Sequence, residues 1–231
     1  MADRSVSNER RKELEQLDPF QEKMLKMMAL IKENKKQLIF ALIAVVLVIA
    51  VFSSVTYSFK KAEDTAAILV TQALDAYAGN DDPVNAFSKL NDDFQTIFSE
   101  YANTSAGRQA LVAFAKICYD ASKFDLSYKY YKEALVELKN DPLMENLILS
   151  SLGHVCIARK ANDEAKKYFL EIETGESDLL KDEARYELAV LYEADNNPDE
   201  SRKMYEKIVS QSQNQASIYT PIAKSKIAQM K

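Results

Sequence analysis

The pattern of apolar and polar positions divides the chain into one uninterrupted apolar segment and a long series of amphipathic segments. Residues 35–61 read KKQLIFALIAVVLVIAVFSSVTYSFKK, and residues 38–55 of this stretch carry no charge. A helix of that length spans about 27 Å, close to the thickness of the hydrocarbon core of a bilayer. A cleavable signal has a shorter apolar region, of about 7–15 residues, followed by small residues. We therefore predict an uncleaved transmembrane helix at residues 38–57.

Lysines on the two sides of this segment indicate its orientation. Five lysines lie closely before it and only two directly after it, where acidic residues then predominate. Positive charge is retained on the cytoplasmic side of a membrane. We therefore predict a cytoplasmic segment at residues 1–37 and an exported domain at residues 58–231.

Apolar residues also recur at helical spacing within the N-terminal segment. A helix predicted at residues 19–34, with a proline at its first position, carries Phe20, Met24, Met27 and Ile31 on one face. Two interpretations of this face remain open. It is either a short helix lying in the membrane interface or a methionine-rich docking surface for a membrane partner.

The pattern after the apolar segment is helical throughout, which predicts an all-α fold. No alternating strand pattern is sustained, and residues 57–77 contain no strong helix breaker. The transmembrane helix can therefore continue into the first helix of the domain. Short breaker runs separate the later helices; they are GNDDP at 79–83, NTSAG at 103–107, NDP at 140–142, TGES at 174–177 and NNP at 196–198.

A repeat becomes visible when the helical segments are aligned. The segments LVAFAKIC, LSSLGHVC and RYELAVLY begin at residues 111, 149 and 185, and a second helix follows each at a similar distance. In every unit the first helix has a large residue before a small one, and the second helix has an aromatic residue. A small residue lets the second helix approach closely, and the aromatic ring fills the groove between the two. These positions are Phe114-Ala115 with Tyr131, Leu152-Gly153 with Phe169, and Leu188-Ala189 with Tyr205.

This pattern resembles the tetratricopeptide repeat, although Leu111, Leu149 and Arg185 stand where that family has tryptophan and the units recur at 38 and 36 residues rather than 34. The resemblance implies an α-solenoid with repeats at about 108–145, 146–181 and 182–215. A capping helix at 217–230 would cover the exposed end of the stack.

Composition excludes several classes of function. Residues 38–231 carry 28 acidic and 21 basic residues, for a net charge of −7, which disfavours nucleic acid binding. The chain has one histidine, no CxxC pair, no glycine-rich phosphate loop and no nucleophile elbow. We therefore predict no enzyme, no metal or cofactor and no small-molecule substrate. Cys118 and Cys156 occupy equivalent positions of neighbouring helices, so we predict buried free thiols rather than a disulfide.

The resemblance to the tetratricopeptide repeat also implies a concave groove formed by the first helix of each unit. Its mixture of apolar and polar side chains would suit a polypeptide ligand. Alternatively, some of these residues only pack against the capping helix, and His154 is either a groove residue or a partly buried histidine. The groove positions are Gln109, Val112, Lys116, Tyr119 and Asp120 in the first unit, Leu147, Ser150, His154, Ile157 and Ala158 in the second, and Glu183, Tyr186, Val190, Glu193 and Ala194 in the third.

The whole architecture resembles the YfgM-like family, ancillary subunits of the bacterial SecYEG translocon that face the periplasm. Residues 102–135, ANTSAGRQALVAFAKICYDASKFDLSYKYYKEAL, are the most similar stretch. The resemblance implies a chaperone-like protein of the bacterial inner membrane, with a periplasmic C-terminal domain. Its partners would be SecYEG, a PpiD-like chaperone and exported chains. The alternative is an assembly scaffold for another cell-envelope or respiratory complex. An anchored enzyme or redox protein would need a catalytic or cofactor cluster that the sequence lacks.

Overall fold

The computed structural model of the protein describes residues 19–211 and 217–230. The first 18 residues and the end of the predicted third repeat, 212–215, lie outside the described residues. The chain divides into two units, residues 1–58 and 59–231. Each unit is described by itself below.

The first unit contains helix α1, Pro19–Glu33, and the apolar part of helix α2, Lys35–Ala78. The apolar side chains on one face of α1, including Phe20 and Met27, are exposed. Helix α2 is long and apolar enough to cross a membrane, and none of its most apolar window is buried. It continues through residues 57–77, as the lack of a breaker there predicted.

The second unit begins with the last turns of α2 and consists of helical hairpins that stack on one another. The described residues contain no strand, which confirms the predicted all-α solenoid. The remaining helices are α3, Pro83–Glu100; α4, Ser105–Asp120; α5, Phe124–Leu138; α6, Pro142–Ala158; α7, Asn162–Thr174; α8, Lys181–Ala194; α9, Pro198–Gln211; and α10, Tyr219–Gln229. Helix α4 pairs with α5, α6 with α7 and α8 with α9, and α10 packs mainly on α9.

The turn inside each hairpin repeats the same local structure. The second residue after the first helix has a left-handed conformation, with φ of 58° at Ser122, 61° at Lys160 and 54° at Asn196. One residue later, a backbone N–H donates back to the first helix, at distances of 2.8, 2.8 and 2.9 Å. This is the bond of a Schellman cap, which satisfies a carbonyl at the helix end and reverses the chain within three residues.

The core confirms the packing reason for the repeat. Ala115, Gly153 and Ala189 are all fully buried. A Cβ atom added to Gly153 would lie 2.4 Å from Cζ of Phe169, so the two helices are as close as glycine permits. Cys118 and Cys156 are buried free thiols, as predicted. Burial raises the pKa of both thiols to about 12.

The last turns of α2 lie next to α4, where the first helix of a preceding hairpin would be. Ala66 and Ala73, on these turns, are buried. The Glu63 carboxylate accepts hydrogen bonds from the backbone N–H of Ser105 at 2.6 Å and of Ala106 at 2.8 Å. These two donors belong to the first turn of α4, where backbone N–H groups have no partner within the helix. Glu63 therefore caps α4 from another helix.

Candidate binding groove on the inner helices

The first helices of the hairpins, α4, α6 and α8, form what we call the inner face. A pocket of about 440 Å³ lies between α4 and α6 on this face. It brings together six of the predicted groove residues with three that were not predicted. The predicted ones are Val112, Lys116, Tyr119, Asp120, Leu147 and His154, and the others are Ala113, Tyr131 and Ser151.

Charged side chains at the rim of this pocket already have partners within the protein. The Asp120 carboxylate accepts hydrogen bonds from Lys116 Nζ and from the hydroxyl of Tyr77. Burial and the bond to Asp120 together raise the pKa of Tyr77 to about 12. The Tyr119 ring is held edge-on against Phe124, with centroids 5.5 Å apart. The side-chain surface that this pocket leaves for a ligand is therefore mainly apolar.

The region between the next two inner helices, α6 and α8, which we call the acidic crevice, carries carboxylates instead. Glu183 Oε1 lies 2.8 Å from Ser150 Oγ and 2.9 Å from His154 Nε2. The bond to His154 lowers the pKa of the Glu183 carboxyl and raises that of the His154 imidazole. Glu187 stands half-buried on the same helix, and burial raises the pKa of its carboxyl. His154 lines both crevices and so links them.

The end of the inner face is covered by the C-terminal helix. The ring of Tyr186 packs on that of Tyr219, with centroids 5.2 Å apart. Glu193 accepts hydrogen bonds from Lys226 Nζ at 2.8 Å and from the Tyr205 hydroxyl at 3.1 Å. Tyr186 and Glu193 therefore both contact side chains of α10.

The other predicted positions lie outside the pocket. Gln109 is exposed and its side chain reaches Ser105 Oγ at 3.4 Å. Ser150 is buried and engaged by Glu183. The rest are half-buried or exposed on the inner helices without lining the pocket; they are Ile157, Ala158, Val190 and Ala194.

Some of the residues that were not predicted share one position of the sequence repeat. Ala113, Ser151 and Glu187 stand at one repeat position, because they are separated by the same 38 and 36 residues as the repeats. Two of the three line the pocket. A larger cavity of about 570 Å³ lies among residues of α3, α4 and α5 and contains none of the predicted residues. Within the described part of the chain, no group of His, Cys, Asp or Glu side chains is arranged to hold a metal ion.

Comparison with known proteins identifies the repeat. A family model described as a tetratricopeptide repeat-like domain matches residues 29–231. Among solved structures, the chain is similar to the crystal structure of BtubC (BKLC) from P. vanneervenii, with a TM-score of 0.52 and 15% sequence identity over 74% of this chain and 82% of that chain. At this identity the likeness concerns the fold alone. The comparison with curated proteins gave no match.

Proposed function

The chain belongs to the tetratricopeptide repeat-like domain family, and on this premise we propose that it is a membrane-anchored module that binds polypeptides in its inner groove. Domains of this family are generally interaction modules rather than enzymes. The observation that carries the proposal is the pocket between α4 and α6, where six residues predicted to face a ligand come together. Its size suits one or two large apolar side chains.

Two features support an anchor in the membrane. Residues 38–55 carry no charge, and their side chains do not pack into a core. The excess of lysines before this segment favours a cytoplasmic N-terminus and a periplasmic second unit. An anchor confines the groove to the membrane surface, which raises its effective concentration near membrane partners without additional affinity.

The resemblance to YfgM-like proteins leads to the more specific part of the proposal. The protein acts beside the SecYEG translocon at the bacterial inner membrane, together with a PpiD-like chaperone, and receives exported chains. The exposed apolar face of α1 offers a second contact surface, for a translocon subunit or for the membrane interface. The first unit then supplies location, and the groove supplies client binding.

In vivo photo-crosslinking of the full-length protein tests both surfaces. A photoreactive residue replaces Tyr119 in the pocket, Met27 on α1, or Lys139, which is exposed at the end of an outer helix and serves as the control. Tyr186 is unsuitable because it packs on the C-terminal helix and does not line the pocket. We expect a spread of exported proteins from position 119, translocon subunits from position 27, and neither from position 139.

The possible outcomes separate the two functions. One membrane complex recovered in fixed ratio from position 119 would show that the protein is an assembly scaffold instead. Identical products from positions 119 and 139 would contradict any role for the groove. Crosslinks to lipid alone from position 27 would assign α1 to the membrane interface and leave the translocon without support.

A further inference from the structure

We propose that the groove selects extended segments that carry an apolar side chain and, about three residues away, a lysine or arginine. This inference rests on the proposed function, because it specifies which polypeptides the groove binds. The apolar side chain occupies the pocket between α4 and α6. The basic side chain reaches Glu187 in the crevice between α6 and α8.

The two crevices occupy equivalent places in neighbouring repeats. Adding 38 or 36 to a pocket residue gives the residue at the same place one repeat further along. The pocket residues Val112, Ala113 and Leu147 then become Ser150, Ser151 and Glu183, and Ser151 becomes Glu187. The same fold therefore presents an apolar crevice followed by a polar, acidic one.

The charges of the acidic crevice do not balance. His154 and Ser150 both engage Glu183, at 2.9 and 2.8 Å. Across residues 19–211 and 217–230, by contrast, no lysine or arginine forms an ion pair with Glu187. A half-buried carboxylate is unfavourable, and the Glu183 carboxylate nearby adds to the cost, which the His154 imidazole, already bonded to Glu183, offsets only in part. A cation brought by a ligand would remove that cost.

The neighbouring pocket shows the opposite arrangement. Its acidic residue, Asp120, already has Lys116 and the Tyr77 hydroxyl as partners. A ligand cation gains little there, whereas an apolar side chain can contact Val112 and Leu147. The pocket therefore favours an apolar side chain and the acidic crevice favours a basic one, in a fixed order along the groove.

The spacing of the two ligand residues follows from helix packing. Adjacent packed helices have axes about 8–10 Å apart. A chain in the extended polyproline II conformation advances about 3.1 Å per residue and presents every third side chain on the same side. The apolar and basic side chains should therefore be about three residues apart.

Fluorescence anisotropy with labelled twelve-residue peptides tests the inference on the full-length protein in mild detergent, with empty micelles as a blank. The host peptide contains Ser, Thr, Gly and Asn, with one Phe and one Arg. The test peptides place Arg three residues after or three residues before Phe, because a peptide can cross the inner helices in either direction. The comparison peptides place Arg next to Phe, or replace Arg by Gln or Glu.

We expect one of the two three-residue spacings to bind about fivefold more tightly than its Gln counterpart, and the Glu peptide to bind more weakly still. Glu187→Gln should abolish the preference for Arg. Glu171→Gln, which removes the same charge from an exposed site on outer helix α7, should preserve it. Glu187→Lys should reverse the preference, so that the Glu peptide binds better than the Arg peptide.

The outcomes distinguish this inference from the function on which it rests. Peptides that bind equally well with Arg, Gln or Glu, in wild type and in Glu187→Lys, would overturn the inference and leave a general polypeptide groove. An Arg preference that persists unchanged in Glu187→Gln would also overturn it. If no Phe peptide binds the wild-type protein, or if Leu147→Ala does not weaken the binding of those that do, then the proposed function itself fails.

Discussion

Replacing Gly153 by alanine should destabilise the protein, although the same change usually stabilises a helix. Alanine in place of glycine within a helix gains about 1 kcal/mol. Here the new methyl group would lie 2.4 Å from Cζ of Phe169 and 2.7 Å from both Cε atoms. Carbon atoms in favourable contact are about 3.5–4.0 Å apart. The ring would therefore have to move by about 1 Å from a site where it is fully buried.

The magnitude follows from these two opposing effects. Overpacking of a core costs about 1–3 kcal/mol, and three short contacts with one buried ring place Gly153→Ala in the upper part of that range. After subtraction of the gain in helix propensity, the free energy of unfolding should fall by about 1–2 kcal/mol. For a domain of this size that corresponds to a Tm lower by roughly 2–8 °C.

Thermal unfolding followed by circular dichroism at 222 nm measures this change. Gly79→Ala is the matched control, because an added Cβ there would meet nothing closer than 3.5 Å. The control should stay within about 0.5 kcal/mol of wild type. In a Phe169→Leu background the smaller side chain makes room, so Gly153→Ala should cost less or become stabilising. A Gly153→Ala protein as stable as wild type, or more stable, would refute the close approach between the two helices of this repeat.

Three further predictions concern single groups. The pKa of His154, the one histidine of the sequence, is raised by its bond to Glu183. An NMR titration should place the pKa of His154 above about 6.5, and Glu183→Gln should lower that pKa. The bond therefore stabilises the fold below pH 6.5. This contribution disappears as the pH rises through the raised pKa of His154. Both cysteines should react with Ellman's reagent far more slowly in the native than in the denatured protein, because burial raises the pKa of each thiol to about 12; equal rates would show that they are accessible. Glu63→Gln should lower the free energy of unfolding by about 1 kcal/mol through loss of a charged cap, whereas Asp64→Asn, at an exposed neighbour, should change it little.

The core of the repeat could be predicted from the sequence because the same packing problem occurs three times. Each first helix must bring a small residue under an aromatic ring of the second helix. Ala115, Gly153 and Ala189 satisfy this condition at one repeat position, so the pattern is detectable despite the different surroundings. The fold and the order of its helices follow from these positions and from the breakers between them.

Contacts that occur once could not be predicted in this way. Glu63 caps a helix whose first residue lies 42 positions away, and no local pattern marks that pairing. Arg185 is another example, since it stands where the repeat family has tryptophan. Its side chain is buried and forms ion pairs with Asp182 at 3.2 Å and Glu173 at 3.6 Å. The sequence shows a departure at this position, but only the structure shows which carboxylates compensate for it.

The inner face follows a different rule from the core, and this difference is what makes its chemistry informative. The core position of Ala115, Gly153 and Ala189 faces an aromatic ring of the second helix in every repeat, so folding alone restricts this position to small residues. Ala113, Ser151 and Glu187 also occupy one repeat position, yet they change from methyl to hydroxyl to carboxylate. Packing between the helices does not require this change, and a half-buried carboxylate with no lysine or arginine partner makes folding less favourable. In the proposed function, a cationic group of a bound polypeptide would supply the partner that no lysine or arginine of the described residues provides.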